Sequence, residues 1–214
     1  MTIDVTRAIG AITRQVSSRD YDGKPARVVI ATRVYDTDRE DLWDALTNAE
    51  RIPRWFMPIS GELELGGRYQ LEGNAGGTIE QCEPPRYLAV TWEMRGDVTW
   101  VRVELSEHAD GKTMLRLEHI AHIPDPDKFW ERYGPGAVGV GWDGALLGLD
   151  QYMSGAPAVT PETAMVWLAS DEGKAFLTRS SDAWCAASIE FGTDEAAARA
   201  SAERTRAFYT GEGG

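Results

Sequence analysis

Cysteine and histidine are scarce in this chain, and positive charge is in short supply. The 214 residues include two cysteines and three histidines. Cys82 and Cys185 lie far apart, and neither stands in a CxxC pair. That excludes a disulfide framework or a thiolate zinc site and predicts free thiols in a reducing compartment. Lysine and arginine total 22 against 34 acidic residues, a formal charge of −12. A chain this acidic repels nucleic-acid phosphates and anionic membrane surfaces, so neither is expected as a partner. No apolar run reaches the roughly 18 residues of a membrane span. The opening MTIDVTRAIG has neither the basic start nor the apolar block of a signal peptide, and a cytoplasmic protein is the expectation. No serine sits in a G-x-S-x-G elbow, and no internal repeat or low-complexity linker is present.

What the chain does have is tryptophan, eight residues of it. So many rings suit a core and also an aromatic-lined pocket. The length fits one domain with an appendage. The stretch Phe129 to Met153 carries Val138, Trp142, Leu146, Leu149 and Met153 at helical spacing, with Gly141, Gly144 and Gly148 in a row beside them. Glycines weaken a helix by on the order of 1 kcal/mol each, so the row predicts close approach of another backbone or a ligand.

The preceding sequence reads as strands. Ile9 to Val16 and Arg27 to Tyr35 flank the turn signal Asp22-Gly23. Thr37-Asp38-Arg39-Glu40 has the form of a capping box and opens a short helix with Leu42, Trp43, Ala45 and Leu46 on its buried side. Glu62–Leu65 and Arg68–Glu72 flank Gly66-Gly67 as a two-residue hairpin. Strands over 78–82, 87–94, 98–105 and 113–120 then follow at close spacing, which predicts an antiparallel meander. Helices at both ends of a run of strands make an α+β pattern. By alternation, Leu88, Val90 and Trp92 share a face, as do Val101, Val103 and Leu105; Leu115, Leu117 and His119; and Tyr69 and Leu71. Trp100 points the other way and needs a cover or a partner. Residues 156–214 read as three helices, starting near Pro161, Asp171 and Thr193, that form a lid or a homodimer surface.

The chemical motifs are sparse. Gly134-Pro135-Gly136-Ala137-Val138-Gly139 has the letters of a dinucleotide fingerprint but lacks its βαβ setting, so no nucleotide cofactor is expected. His119 and His122 are three apart on a strand and diverge, and no third ligand adjoins them, so no metal is expected. His119 should face the interior, either as a core-edge histidine or as a polar contact or base for a ligand. Glu80 is a cavity acid if its strand face is inward and a solvated one if Ile79 is inward instead. Asp125 and Asp127 read as members of a surface loop. No catalytic constellation emerges.

The pieces DTDREDLWDALTNAERIPRWF, GELELGGRYQLEGNAGGTIEQCEPPRYLAVTW and YGPGAVGVGWDGALLGL resemble the Hsp90 ATPase activator homologue family of the START-like, or SRPBCC, superfamily. Trp43, Arg54-Trp55-Phe56, Gly66-Gly67, Pro84-Pro85 and Thr91-Trp92 fall in the family's order over about residues 26–154. The resemblance implies a helix-grip fold, in which a curved antiparallel sheet wraps round a long helix with a cavity between. Residues 1–155 would form that domain, and 156–214 resemble an extension of some bacterial members. The candidate cavity residues are Trp55, Phe56, Tyr69, Trp92, His119, Trp142 and Leu146. They suit a small hydrophobic or aromatic molecule, with His119 and Tyr69 offering hydrogen bonds. A non-catalytic binding protein is the first expectation. The alternatives are a cyclase- or hydrolase-like enzyme using His119 or Glu80, and a chaperone-related protein-interaction module.

Overall fold

The fold follows from where the alternating apolar residues fall. In the computed structural model, residues 3–158 and 160–212 are described. The order is α1 (Val5–Gly10), β1 (Ile12–Tyr21), β2 (Lys24–Tyr35), α2 (Arg39–Thr47), β3 (Ile59–Gly61), β4 (Arg68–Leu71), β5 (Gly76–Glu83), β6 (Tyr87–Met94), β7 (Asp97–Glu107), β8 (Thr113–His122), α3 (Lys128–Tyr133), α4 (Gly136–Met153), α5 (Pro161–Ala169), α6 (Asp171–Glu190) and α7 (Glu195–Thr210). The strands make one eight-stranded sheet in the order β1-β2-β8-β7-β6-β5-β4-β3, left open at its β1 and β3 edges. Successive pairs from β3 to β8 are antiparallel. This is the α+β fold expected from helices at both ends of a run of strands, and it is of the helix-grip type that the family resemblance implies.

The chain forms two compact units that interleave along the sequence. The first holds residues 1–31, 122–144 and 162–214, and the second 32–121 and 145–161. Strand β2 and helix α4 each begin in the first unit and end in the second.

In the second unit the meander puts the expected residues on one face. Val90 pairs with Val101 and Leu88 with Val103 on β6 and β7, and Val101 pairs with His119 on β8. One sheet face therefore collects Leu88, Val90, Trp92, Val101, Val103, Leu117 and His119. On the other face Trp100 lies opposite Ile120, which is fully buried. Helix α2 starts at Asp38, whose carboxylate accepts from Asp41 N–H at 2.8 Å. The cap is therefore Asp38 rather than Thr37. Thr37 instead gives its hydroxyl hydrogen to the Asp41 carboxylate. Leu42 and Ala45 are the fully buried residues of that helix, while Trp43 and Leu46 are half-buried.

The β3–β4 connection differs from the expected two-residue hairpin. Ile59 pairs with Leu71 and Gly61 with Tyr69, so residues 62–67 are loop. Residues 62–65 contain no β-branched side chain to favour a strand. In the first unit, α1 occupies residues expected to begin a strand, because Asp4 caps Arg7 N–H at 3.0 Å. The stretch from Phe129 to Met153 folds as two helices joined by a glycine-rich turn. Asp127 caps α3, and Gly134 with φ 60° ends it before α4 begins. Helices α6 and α7 start at Ser170 and Asp194, each an N-cap whose side chain accepts a backbone N–H.

Candidate functional site

The sequence candidates of the second unit include two ring pairs, Trp55–Phe56 and Trp92–His119, with Phe56 and Trp92 both packed on one apolar cluster. The η-type turn Ile52–Arg54 follows α2 and delivers Trp55 and Phe56. Trp55 is buried, and its indole N–H donates to the Ala45 carbonyl at 2.9 Å. Trp55 and Phe56 stack with centroids 5.3 Å apart. Phe56 in turn packs on a buried nucleus of Tyr69, Leu71 and Ile79, as do Met57, Ile59, Leu88, Val90 and Trp92, all only partly buried. Trp92 meets His119 edge to face at 6.2 Å. Leu146 on α4 is buried, and its carbonyl accepts from Tyr35 Oη at 3.1 Å. Trp142, also on α4, is half-buried and belongs to the first unit.

Helix α4 comes close to this site at one glycine. A Cβ on Gly148 would lie 2.4 Å from the Trp55 carbonyl oxygen, so only glycine allows this approach. Gly144 meets nothing within 4 Å, and Gly141 only the Tyr209 hydroxyl at 3.3 Å. The close approach that the glycine row suggested is therefore made at Gly148, while a fourth glycine, Gly139, seats the Trp184 ring in the first unit.

The polar groups of the site are committed to protein partners. Tyr69 donates to the Thr91 carbonyl at 2.7 Å, and burial raises its phenol above the usual range. His119 Nε2 lies 2.9 Å from Thr99 Oγ1, and Thr99 donates its hydrogen to the Trp92 carbonyl at 3.2 Å. Burial pushes the His119 pKa down to about 4. Glu80, in contrast, is exposed on β5 because Ile79 takes the inward position. It is a solvated carboxylate, not a cavity acid. His122 binds the Tyr21 carbonyl at 2.9 Å, so the two imidazoles diverge as strand geometry requires. Among the described residues no cluster of His, Cys, Asp or Glu could hold a metal ion.

Two buried charges escaped the sequence reading. Arg33 on β2 is 5 % exposed and pairs with Asp150 of α4 at 2.7 Å. Asp143 on α4, fully buried in the first unit, pairs with Arg14 at 2.9 Å and accepts from Ser180 and from Trp184 Nε1. Burial raises its carboxyl above the usual range, against the pull of Arg14 and these hydrogen bonds. Each had a sequence signal: a lone charge inside an otherwise apolar alternation or stripe.

The first unit also contains a cleft of about 410 Å³ walled by Arg27, Trp130, Glu131, Ser188, Phe191 and Ser201 among others. Arg27 lies over the Trp130 ring at 4.6 Å and pairs with Asp127 at 3.1 Å. Asp127, expected in a loop, thus caps α3 and fixes Arg27. Helix α5 shows Met165 and Val166 to solvent. No helix of the described residues is long and apolar enough to cross a membrane.

Comparison with known proteins gives this geometry a family. Two structures of CalU16 from Micromonospora echinospora are similar to the chain. The crystal structure is 32 % identical, covers 83 % of this chain and 98 % of its own, and superposes with a TM-score of 0.63. The solution structure is 31 % identical over 85 % and 97 %, with a TM-score of 0.68. PFC0360w, an Hsp90 activator from Plasmodium falciparum, shares the fold at 24 % identity over 62 % and 99 %, with a TM-score of 0.51. No curated protein matches. The model of the family "Activator of Hsp90 ATPase homolog 1-like protein" matches residues 36–154. The chain is a member of that Hsp90 ATPase activator homologue 1-like family.

Proposed function

We propose that this protein binds a small hydrophobic or aromatic molecule on the helix-facing side of its second unit, without catalysing a reaction. The observation that carries the reading is the incomplete burial of the apolar face. Val101, Val103, Leu117 and His119 are buried on that face, as are Tyr69, Leu71 and Ile79, but around those last three Phe56, Met57, Ile59, Leu88, Val90 and Trp92 remain partly open. Side chains of a closed core bury almost all of their surface. A partly open aromatic and aliphatic wall is the surface an apolar ligand covers.

The site's chemistry favours binding over turnover. A proton-transfer residue works best with a pKa near the operating pH. His119, with its pKa pushed down to about 4, stays a neutral hydrogen-bonding group at pH 7. The other candidate, Glu80, is in solvent, so the two do not make an acid–base pair.

The test is titration of the purified protein with N-phenyl-1-naphthylamine, a neutral apolar fluorophore. Saturable binding at one site per chain, weakened at least tenfold by Trp92→Ala, supports the reading. Absence of binding, or binding untouched by both Trp92→Ala and Phe56→Ala, refutes it.

A further inference from the structure

Apolar contact alone leaves one charge of the second unit unexplained. Ile123 N–H donates to the Pro25 carbonyl, which sets the odd-numbered residues of β2 on the same sheet side as the odd-numbered residues of β8. Arg33 and Tyr35 thus share their side with Leu115, Leu117 and His119, and the Tyr35 hydroxyl reaches the Leu146 carbonyl of α4 from there. Arg33 is an interior arginine.

Its guanidinium carries five N–H donors. Nη2 is taken by Asp150 Oδ1 at 2.7 Å, and the guanidinium carbon lies 5.4 Å from the Tyr35 ring centroid. Nε and Nη1 are buried and find no acceptor among the described residues. A buried cation with unmet donors is an unfavourable arrangement unless something supplies the acceptors. Asp150 supplies one, but its side chain is 31 % exposed and so shares its charge with water. The remaining donors are suited to an oxyanion, which guanidinium binds through short, charge-assisted hydrogen bonds.

We propose that Arg33 anchors the acidic group of an amphiphilic ligand, a carboxylate or sulfonate carried on an apolar body, while the aromatic face takes the body. This inference rests on the ligand-binding reading above and narrows its ligand class to hydrophobic acids. The sequence signal is the arginine in Val29-Ile-Ala-Thr-Arg-Val-Tyr35 read at every second position: Val29, Ala31, Arg33, Tyr35.

The test compares two fluorescent probes that share a ring system. 8-Anilinonaphthalene-1-sulfonate carries the acid, and N-phenyl-1-naphthylamine does not. The wild type should bind the sulfonate at least tenfold more tightly. Arg33→Met should abolish that advantage while leaving affinity for the neutral probe unchanged. Asp150→Asn should tighten sulfonate binding severalfold, because it frees Nη2 and removes a competing carboxylate, again with no effect on the neutral probe. Asp150→Asn keeps the arginine, so it reports even if Arg33→Met does not fold. Equal affinity for the two probes, or a sulfonate preference that survives in Arg33→Met, overturns the proposal. So does a preference unchanged or weakened by Asp150→Asn, which is the outcome for a purely structural ion pair. Full displacement of the sulfonate probe by sodium sulfate, beyond the effect of sodium chloride at matched ionic strength, overturns it in favour of an inorganic anion site. Arg33-dependent sulfonate binding with no neutral-probe binding upholds the anchor and refutes the wider apolar-ligand reading. Binding of neither probe refutes both.

Discussion

Adding one methyl group at either of two glycines of α4 should give opposite results. At Gly148 a Cβ would stand 2.4 Å from the Trp55 carbonyl oxygen, whereas ordinary contact begins at 3.4 Å. The helix and the Trp55 backbone must therefore part by the difference, about 1 Å. Overpacking of this kind costs about 1–3 kcal/mol, and a main-chain neighbour gives little, so the upper end applies. Replacing glycine by alanine in a helix returns about 1 kcal/mol. The expected net for Gly148→Ala is a loss of about 2 kcal/mol, which for a chain of this size lowers Tm by about 4–8 °C. At Gly144 a Cβ meets nothing within 4 Å, so Gly144→Ala should gain about 1 kcal/mol and raise Tm by about 2–4 °C. Thermal unfolding followed by circular dichroism reads both. Gly148→Ala as stable as the wild type, or the two variants moving in the same direction, would refute the close contact of α4 with Trp55. Because Trp55 stacks on Phe56, Gly148→Ala should also weaken binding of the neutral probe.

Further predictions test the charges and the cap. His119 has a folded pKa held near 4 by burial, below the unfolded value of about 6.5. The unfolded state therefore binds the proton first, and stability present above pH 6.5 is lost as pH falls toward 4, by about 3 kcal/mol at the lower end. Urea unfolding at pH 7 and pH 4.5 should show this loss, and His119→Gln should reduce it. Arg14→Met leaves the fully buried Asp143 carboxyl without its ionic partner, and should cost about 3–5 kcal/mol. In a double-mutant cycle, Asp143→Asn should recover part of that loss, and additive effects would contradict the pairing. Asp38→Ala removes the cap on Asp41 N–H and should cost about 1 kcal/mol in urea unfolding, with Thr37→Ala costing less.

The elements read most clearly from the sequence are those whose side chains alternate strongly. Leu88, Val90 and Trp92 on β6 and Val101 and Val103 on β7 were each read as one face, and their pairing puts the two sets on the same face. Strand β3 offers three residues, Ile59–Gly61, too few to show a period. Helix α1 is short and depends on a cap at Asp4 that lies outside any apolar stripe. The break at Gly134 is written in Gly134-Pro135-Gly136, a glycine-rich turn that leads into α4. Among the candidate residues, the contact of Trp92 with His119 follows from strand parity and that of Trp55 with Phe56 from their adjacency. Parity also left Glu80 open until the inward position of Ile79 decided it. Arg33 and Asp143 were passed over because a charge on an apolar face contradicts the rule used to find that face. The cleft at Trp130 and Phe191 draws its walls from β2, α3, α6 and α7, and no local pattern announces such a convergence.

The most direct measurement of the central claim is an amide chemical-shift titration of the labelled protein with N-phenyl-1-naphthylamine. Saturating shifts centred on Phe56, Tyr69, Trp92, Thr99 and His119 are the predicted result. Shifts centred instead on Arg27, Trp130, Phe191 and Thr193, the walls of the first unit's cleft, would move the ligand site to the first unit and contradict the account.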